Sequence, residues 1–196
     1  MALPPLPSYH KPTKVRGVSW YVTNGPMSFG AFNRHGITMD GLQGMAAYGV
    51  SGDWDGKTPP LFRLSLYRGW DEKLPAVTII DTNPTDEATH ERDDEWLLEW
   101  IKMAQERGFG RLWVGGIYPL RSTCKDSLAA YYMRERTLRD YTVDAINMHS
   151  LECMAFRSSL IVAAWDEQRF SEQGDKVVAM LDRRLKNHQF TEIEEW

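Results

Sequence analysis

Cysteine is scarce in this chain. The two present, Cys124 and Cys153, form no Cys-x-x-Cys pair, so no zinc-ribbon spacing or disulfide framework is available and two free thiols are expected. Long apolar runs are lacking as well. The longest, Leu160–Trp165, is far short of the roughly 20 residues a bilayer-crossing helix needs, and Met1–Pro7 has no basic segment followed by an apolar one. A cytoplasmic protein with no membrane partner is expected. There is no excess of one charge either: the formal net charge of -4 exerts no global pull on a polyanion. The local basic clusters, Arg134, Arg136 and Arg139 and then Arg183, Arg184 and Lys186, are interleaved with acids and read as solvated helix faces.

Motif absences narrow the chemistry further. The glycines between Gly25 and Gly56 include neither a Walker lysine motif nor a strand-anchored Gly-x-Gly-x-x-Gly, and no Gly-x-Ser-x-Gly elbow occurs. His149 and Cys153 stand four apart on an expected helix, but two ligands do not make a metal site. Neither a cofactor nor a metal is expected.

What is present is an ordinary globular composition, 42% hydrophobic and 26% charged, with eight tryptophans, enough that some indoles should be half exposed at a ligand or contact surface. Glycine and proline crowd the first sixty residues, which hold nine of fifteen glycines and seven of ten prolines. Residues 1–60 are therefore expected to be a loop-rich extension packed on an α/β core of residues 61–196, with short strands at most, over Val15–Val22 and Gly44–Val50.

From Leu61 the pattern is regular. Leu61–Tyr67 alternates like a half-covered strand, and Ala76–Asp81 is short, β-branched and stopped by Asn83-Pro84. Asp93–Arg107 has Trp96, Leu97, Trp100, Ile101 and Ala104 at helical spacing, acids in its first turn and Gly108 past its end. Arg111–Tyr118 and Ser159–Ala164 read as strands, Thr137–Phe156 and Gly174–Lys186 as helices. Alternating strands and helices predict an α/β fold, a mainly parallel sheet with helices on both faces.

In such a sheet ligands bind beyond the carboxyl ends of the strands. Three expected strand ends deliver an acid, an amide, hydroxyls, a cation and an aromatic surface: Asp81 to Asp86, Tyr118 to Thr123, and Trp165 with Asp166. Taken singly, Asn83 is also a turn residue, Asp93 a helix cap, Arg121 a surface charge and Trp165 a sheet cover. Taken together they form a candidate site.

The segments Leu64-Ser-Leu-Tyr-Arg-Gly-Trp, Asn83-Pro-Thr, Asp93-Asp94, Gly108-Phe-Gly, Tyr118-Pro-Leu-Arg-Ser-Thr and Val162-Ala-Ala-Trp resemble the signature of the bacterial and phage family called domain of unknown function sixteen-forty-three. The likeness spans Leu61 to Leu185. The Asn-Pro-Thr segment is also similar to the water-positioning loop of uracil-DNA glycosylases. That similarity implies a uracil-DNA-glycosylase-like fold, with host cytoplasm as the location if phage-encoded. It implies a nucleobase- or nucleotide-recognising protein acting on DNA or nucleotides by base excision or modification. Asn83, Asp81 and Asp86 would be catalytic, and Thr85, Arg121, Ser122, Thr123, Trp165, Asp166 and Arg68 would bind the substrate, with Arg121 on a phosphate. Asp166 stands where the family has Gly, and the glycosylases' His-Pro pair has no counterpart before Trp196, which would withhold electrostatic help from a departing base. The alternative implied is a non-catalytic protein that keeps the fold and sequesters a nucleotide or binds a host or phage protein.

Overall fold

Ala76–Asp81 is short and β-branched and becomes a strand flanked on both sides by parallel neighbours. In the computed structural model, which describes residues 19–22, 28–51, 59–134, 138–165, 167–185 and 192–195, the chain runs β1 (Ser19–Val22), β2 (Ser28–Ile37), β3 (Gln43–Ser51), β4 (Phe62–Gly69), β5 (Ala76–Asp81), α1 (Glu95–Glu106), β6 (Arg111–Gly116), α2 (Lys125–Met133), α3 (Leu138–Ala155), β7 (Leu160–Ala163), α4 (Glu167–Leu185) and β8 (Glu192–Glu195). The eight strands form one sheet in the order β1-β2-β3-β4-β6-β5-β7-β8.

The expectation of a mainly parallel, glycosylase-like sheet with a loop-rich N-terminal extension is overturned. The sheet is mixed: β1 to β4 form an antiparallel meander, β4 pairs antiparallel with β6, and only β6, β5, β7 and β8 run parallel. The helices are divided unevenly. α1 shares one core with Val77, Ile79, Leu112 and Val114, while α2, α3 and α4 share the other with Phe62, Leu64, Ile80 and Ile161.

Glycine misleads in β2 and β3 because it marks close approach there, not a loop. A Cβ on Gly44 would fall on the His90 carbonyl, and one on Gly36 on the Glu91 side chain, so glycine lets the segment between β5 and α1 lie across these strands. Ala46, Tyr48 and Val50 of β3 are buried accordingly. The part of the expected Val15–Val22 strand before Ser19 lies outside the described residues.

α1 forms where the sequence predicts a helix, but its cap is not the expected Asp93, which pairs instead with Arg68. Asp94 caps the helix, its carboxylate accepting the Leu97 N–H at 2.8 Å, and Gly108 follows at φ 80°. Leu97, Ile101 and Ala104 are buried, but Trp96 is 64% exposed, which puts it off the sheet-facing stripe. α1 returns the chain from β5 to β6 on one side; α2 and α3 then carry it past β5 to β7 on the other. The chain therefore reverses direction between β5 and β7, and a crevice opens at their carboxyl ends. No helix among the described residues is long and apolar enough to cross a membrane.

Candidate functional site

The loop after β5 is stitched to the loop after β6 by main-chain bonds: Ile117 N–H to Asp81 O (2.8 Å), Tyr118 N–H to Thr82 O (3.0 Å) and Ser122 N–H to Pro84 O (3.0 Å). Asn83 completes the seam. Its amide nitrogen lies 2.8 Å from Ser122 O, 3.0 Å from Pro84 O and 3.3 Å from Leu120 O, so its two hydrogens are shared among three carbonyls. The expected catalytic amide is thus a clasp between loops.

Beyond this seam a groove of about 950 Å³ runs between α1 and β7. Asp81, Asn83, Thr85, Ser122, Thr123 and Trp165 all border it, so six of the expected site residues are brought together. Trp96, Glu95, Glu99, Trp100, Met103 and Arg107 form the α1 wall, and Val162 and Ala164 the β7 side. The electrostatics are one-sided: Asp81, Glu87, Asp94, Glu95 and Glu99 face a single arginine, Arg107, among its described lining residues. Three indoles share it, Trp96 exposed at the rim, Trp100 half-buried and Trp165 9% exposed.

The other expected residues stand elsewhere. Arg121 turns away from the groove and donates to Pro60 O at 3.0 Å and to Asp86 O, with the Asp86 carboxylate 4.0 Å from its Nε. Arg121 and Asp86 therefore form a strap between loops. Arg68 is fully buried beside Leu112, at the end of β6 opposite the groove. It pairs with Asp93 at 2.6 Å and donates to the carbonyls of Tyr67, Thr89 and Arg92. Asp166 lies outside the described residues.

The residue missed by sequence reasoning is Arg63. It is 4% exposed on β4, and the cost of removing its charge from water pulls its pKa down to about 10. Nη1 donates to Ala88 O at 2.6 Å, its one side-chain hydrogen bond among the described residues. The guanidinium borders a smaller cavity of about 20 Å³ that adjoins the groove through shared walls at Asp81, Asn83, Thr85 and Asp94. Thr85 donates its hydroxyl hydrogen to Asp94, so the N-cap of α1 is tied into this wall. The sequence did carry a signal: an arginine inside Phe62-Arg-Leu-Ser-Leu, where a buried strand has no ordinary use for one. Trp96 and Trp100 were legible as helix residues but not as groove walls.

No group of three or more His, Cys, Asp or Glu side chains able to hold a metal occurs among the described residues. His149 Nε2 lies 3.7 Å from Cys153 Sγ without a further ligand in that set.

These features define a mixed-sheet α/β protein with an acidic, tryptophan-walled groove at the point where its strand order reverses. Residues 63–195 match the family described as Protein of unknown function (DUF1643), and the chain belongs to that family. The resemblance read from the motifs holds over that span, whereas the further likeness to uracil-DNA glycosylases finds no support. No curated protein and no solved structure matches the chain. β1 to β3 precede the matched segment although they belong to the same sheet.

Proposed function

We propose that the groove recognises a nucleobase or nucleoside, and that the base itself, not a phosphate, is the part recognised. The observation that carries this reading is the meeting of Trp96, Trp100 and Trp165 with the carboxylates of Asp81, Glu95 and Glu99 around one groove at the strand ends. Indoles offer π-faces to a planar heterocycle, and carboxylates accept the ring and exocyclic N–H groups such a heterocycle presents. Five acids against one arginine disfavour a phosphodiester backbone, and Arg121, the residue expected on a phosphate, has its donors turned to carbonyls.

Chemistry on the bound base would fall to Asp81, the one member of the expected catalytic set with a carboxylate on the groove. A purely binding role has an observation in its favour: the Asn83 amide hydrogens are engaged by Pro84, Leu120 and Ser122, so the residue could meet a water only through its amide oxygen.

Thermal melts against bases, nucleosides and the matching 5′-phosphates test the reading, since a ligand selective for the folded state adds about 2.7 kcal/mol at a hundred times its Kd. The nucleoside is expected to raise the melting temperature by several degrees, its phosphate to do so less, and Trp96→Ala to abolish the shift. A flat response to every base and nucleoside overturns it. With a ligand in hand, Asp81→Asn separates the two roles: loss of turnover with retained binding means catalysis.

A further inference from the structure

Resting on that reading of the groove, we infer that Arg63 receives a ring carbonyl oxygen of the ligand, which makes the ligand a keto heterocycle of guanine, hypoxanthine or uracil type. The inner cavity beside Arg63 measures about 20 Å³, room for a single oxygen-sized atom, so the ligand body stays in the groove while one atom reaches in.

Among the described residues Arg63 is the arginine or lysine bordering that cavity, and those residues leave it with hydrogens to give. A guanidinium carries five N–H donors, and among the described residues only Nη1 is engaged, by Ala88 O. The neighbouring polar side chains do not compete for the same oxygen. Asn83 has its hydrogens on three carbonyls, Thr85 gives its hydrogen to Asp94, and Asp94 accepts from both Thr85 and the Leu97 N–H. At 4% exposure the guanidinium meets little solvent, so an acceptor entering the cavity is a favourable partner for its remaining N–H groups.

The charge around the cavity selects the kind of oxygen. Asp81 and Asp94 sit in its wall and Glu95 and Glu99 in the groove outside, so an anionic oxygen would enter against a negative field. A neutral carbonyl oxygen accepts from Arg63 without that repulsion. An amino group or a bare C–H at the same ring position gives Arg63 nothing to donate to, and a site built around a hydrogen bond rejects the analogue lacking its partner.

Titration calorimetry with inosine, guanosine and uridine against adenosine and purine riboside, which have no ring carbonyl, tests this on the full chain. Wild type should bind the three keto nucleosides at least about tenfold tighter, as one charge-assisted hydrogen bond implies. Arg63→Met, apolar and close in volume, should bring all five to the weaker level, and Arg63→Lys should keep part of the preference. If wild type binds inosine and purine riboside equally, the inference fails whatever the variants do. If the preference survives Arg63→Met in a protein whose melt shows it folded, the inference fails while the nucleoside reading stands. If none of the five binds, both fall together.

Discussion

An amide with three carbonyls around its nitrogen does work that is read in stability. Asn83 sits between the loops after β5 and β6, and the hydrogen bonds to Pro84, Leu120 and Ser122 hold the floor of the groove. Replacing it by alanine removes this donor from the Leu120 and Ser122 carbonyls and leaves Pro84 O with the Ser122 N–H alone, and Asn83→Ala is expected to cost about 2–3 kcal/mol, at roughly 1 kcal/mol per hydrogen bond lost. Urea unfolding followed by tryptophan fluorescence measures it directly. An unchanged midpoint combined with lost ligand binding would restore Asn83 to the direct role its sequence context suggests. The same residue shows the reach of sequence reasoning. Asn before Pro at a strand end pointed to the groove that Asn83 borders, but whether the amide faces ligand or backbone depends on where Leu120 and Ser122 arrive, nearly forty residues later.

The segment between β5 and α1 behaves as an element although it has no regular structure. Three arginines from two other segments hold its carbonyls: Arg63 at Ala88 O, Arg68 at Thr89 O and Arg92 O, Arg121 at Asp86 O. This explains why sequence reading placed Arg68 and Arg121 on a substrate. Arginine among strand-end polar residues looks the same whether its acceptor is a ligand or a loop. α1, β5, β6 and β7 were legible because their periodicity is local, whereas β2 and β3 were not, because Gly36 and Gly44 serve this segment packing over them. Within it, His90 is largely buried beside Tyr48 with its Nδ1 unpaired among the described residues. Burial lowers its pKa from the ordinary 6.5, with Arg34, Arg68 and His35 acting in the same direction and Glu91 opposing. A base with a depressed folded pKa keeps its full contribution above its unfolded value. That contribution is lost as pH falls below it, because only the unfolded chain takes the proton. Melting temperatures should therefore fall more steeply below pH 6.5 in wild type than in His90→Gln, which has no proton to take up. Parallel curves for the two proteins would mean that His90 does not govern the acid response of this segment.

At the scale of the whole molecule the family match and the sheet do not share a boundary. Residues 63–195 carry the match, yet β4 at its start is hydrogen-bonded along Phe62–Gly69 to β3, and β3 in turn to β2. Ala46, Tyr48 and Leu66 belong to the same buried cluster as Val77, Ile79 and the α1 residues Leu97 and Ile101. The core over β4 is therefore incomplete without the strands that precede it. A fragment of residues 61–196 would expose the β4 edge as a row of unpaired peptide groups beside Leu64 and Leu66, which are 3% and 1% exposed in the full chain. That fragment is expected to aggregate or to lose its sharp thermal transition. The full chain is expected to unfold with coincident far-ultraviolet dichroism and tryptophan fluorescence, the mark of one cooperative unit. Analytical ultracentrifugation of the fragment and two-probe melting of the full chain measure the two halves of this expectation. A monomeric fragment with a cooperative melt would mean that β5 to β8 and their helices carry enough core to fold without the meander. The groove, whose described lining residues all come after Leu66, would then be open to study in the fragment alone.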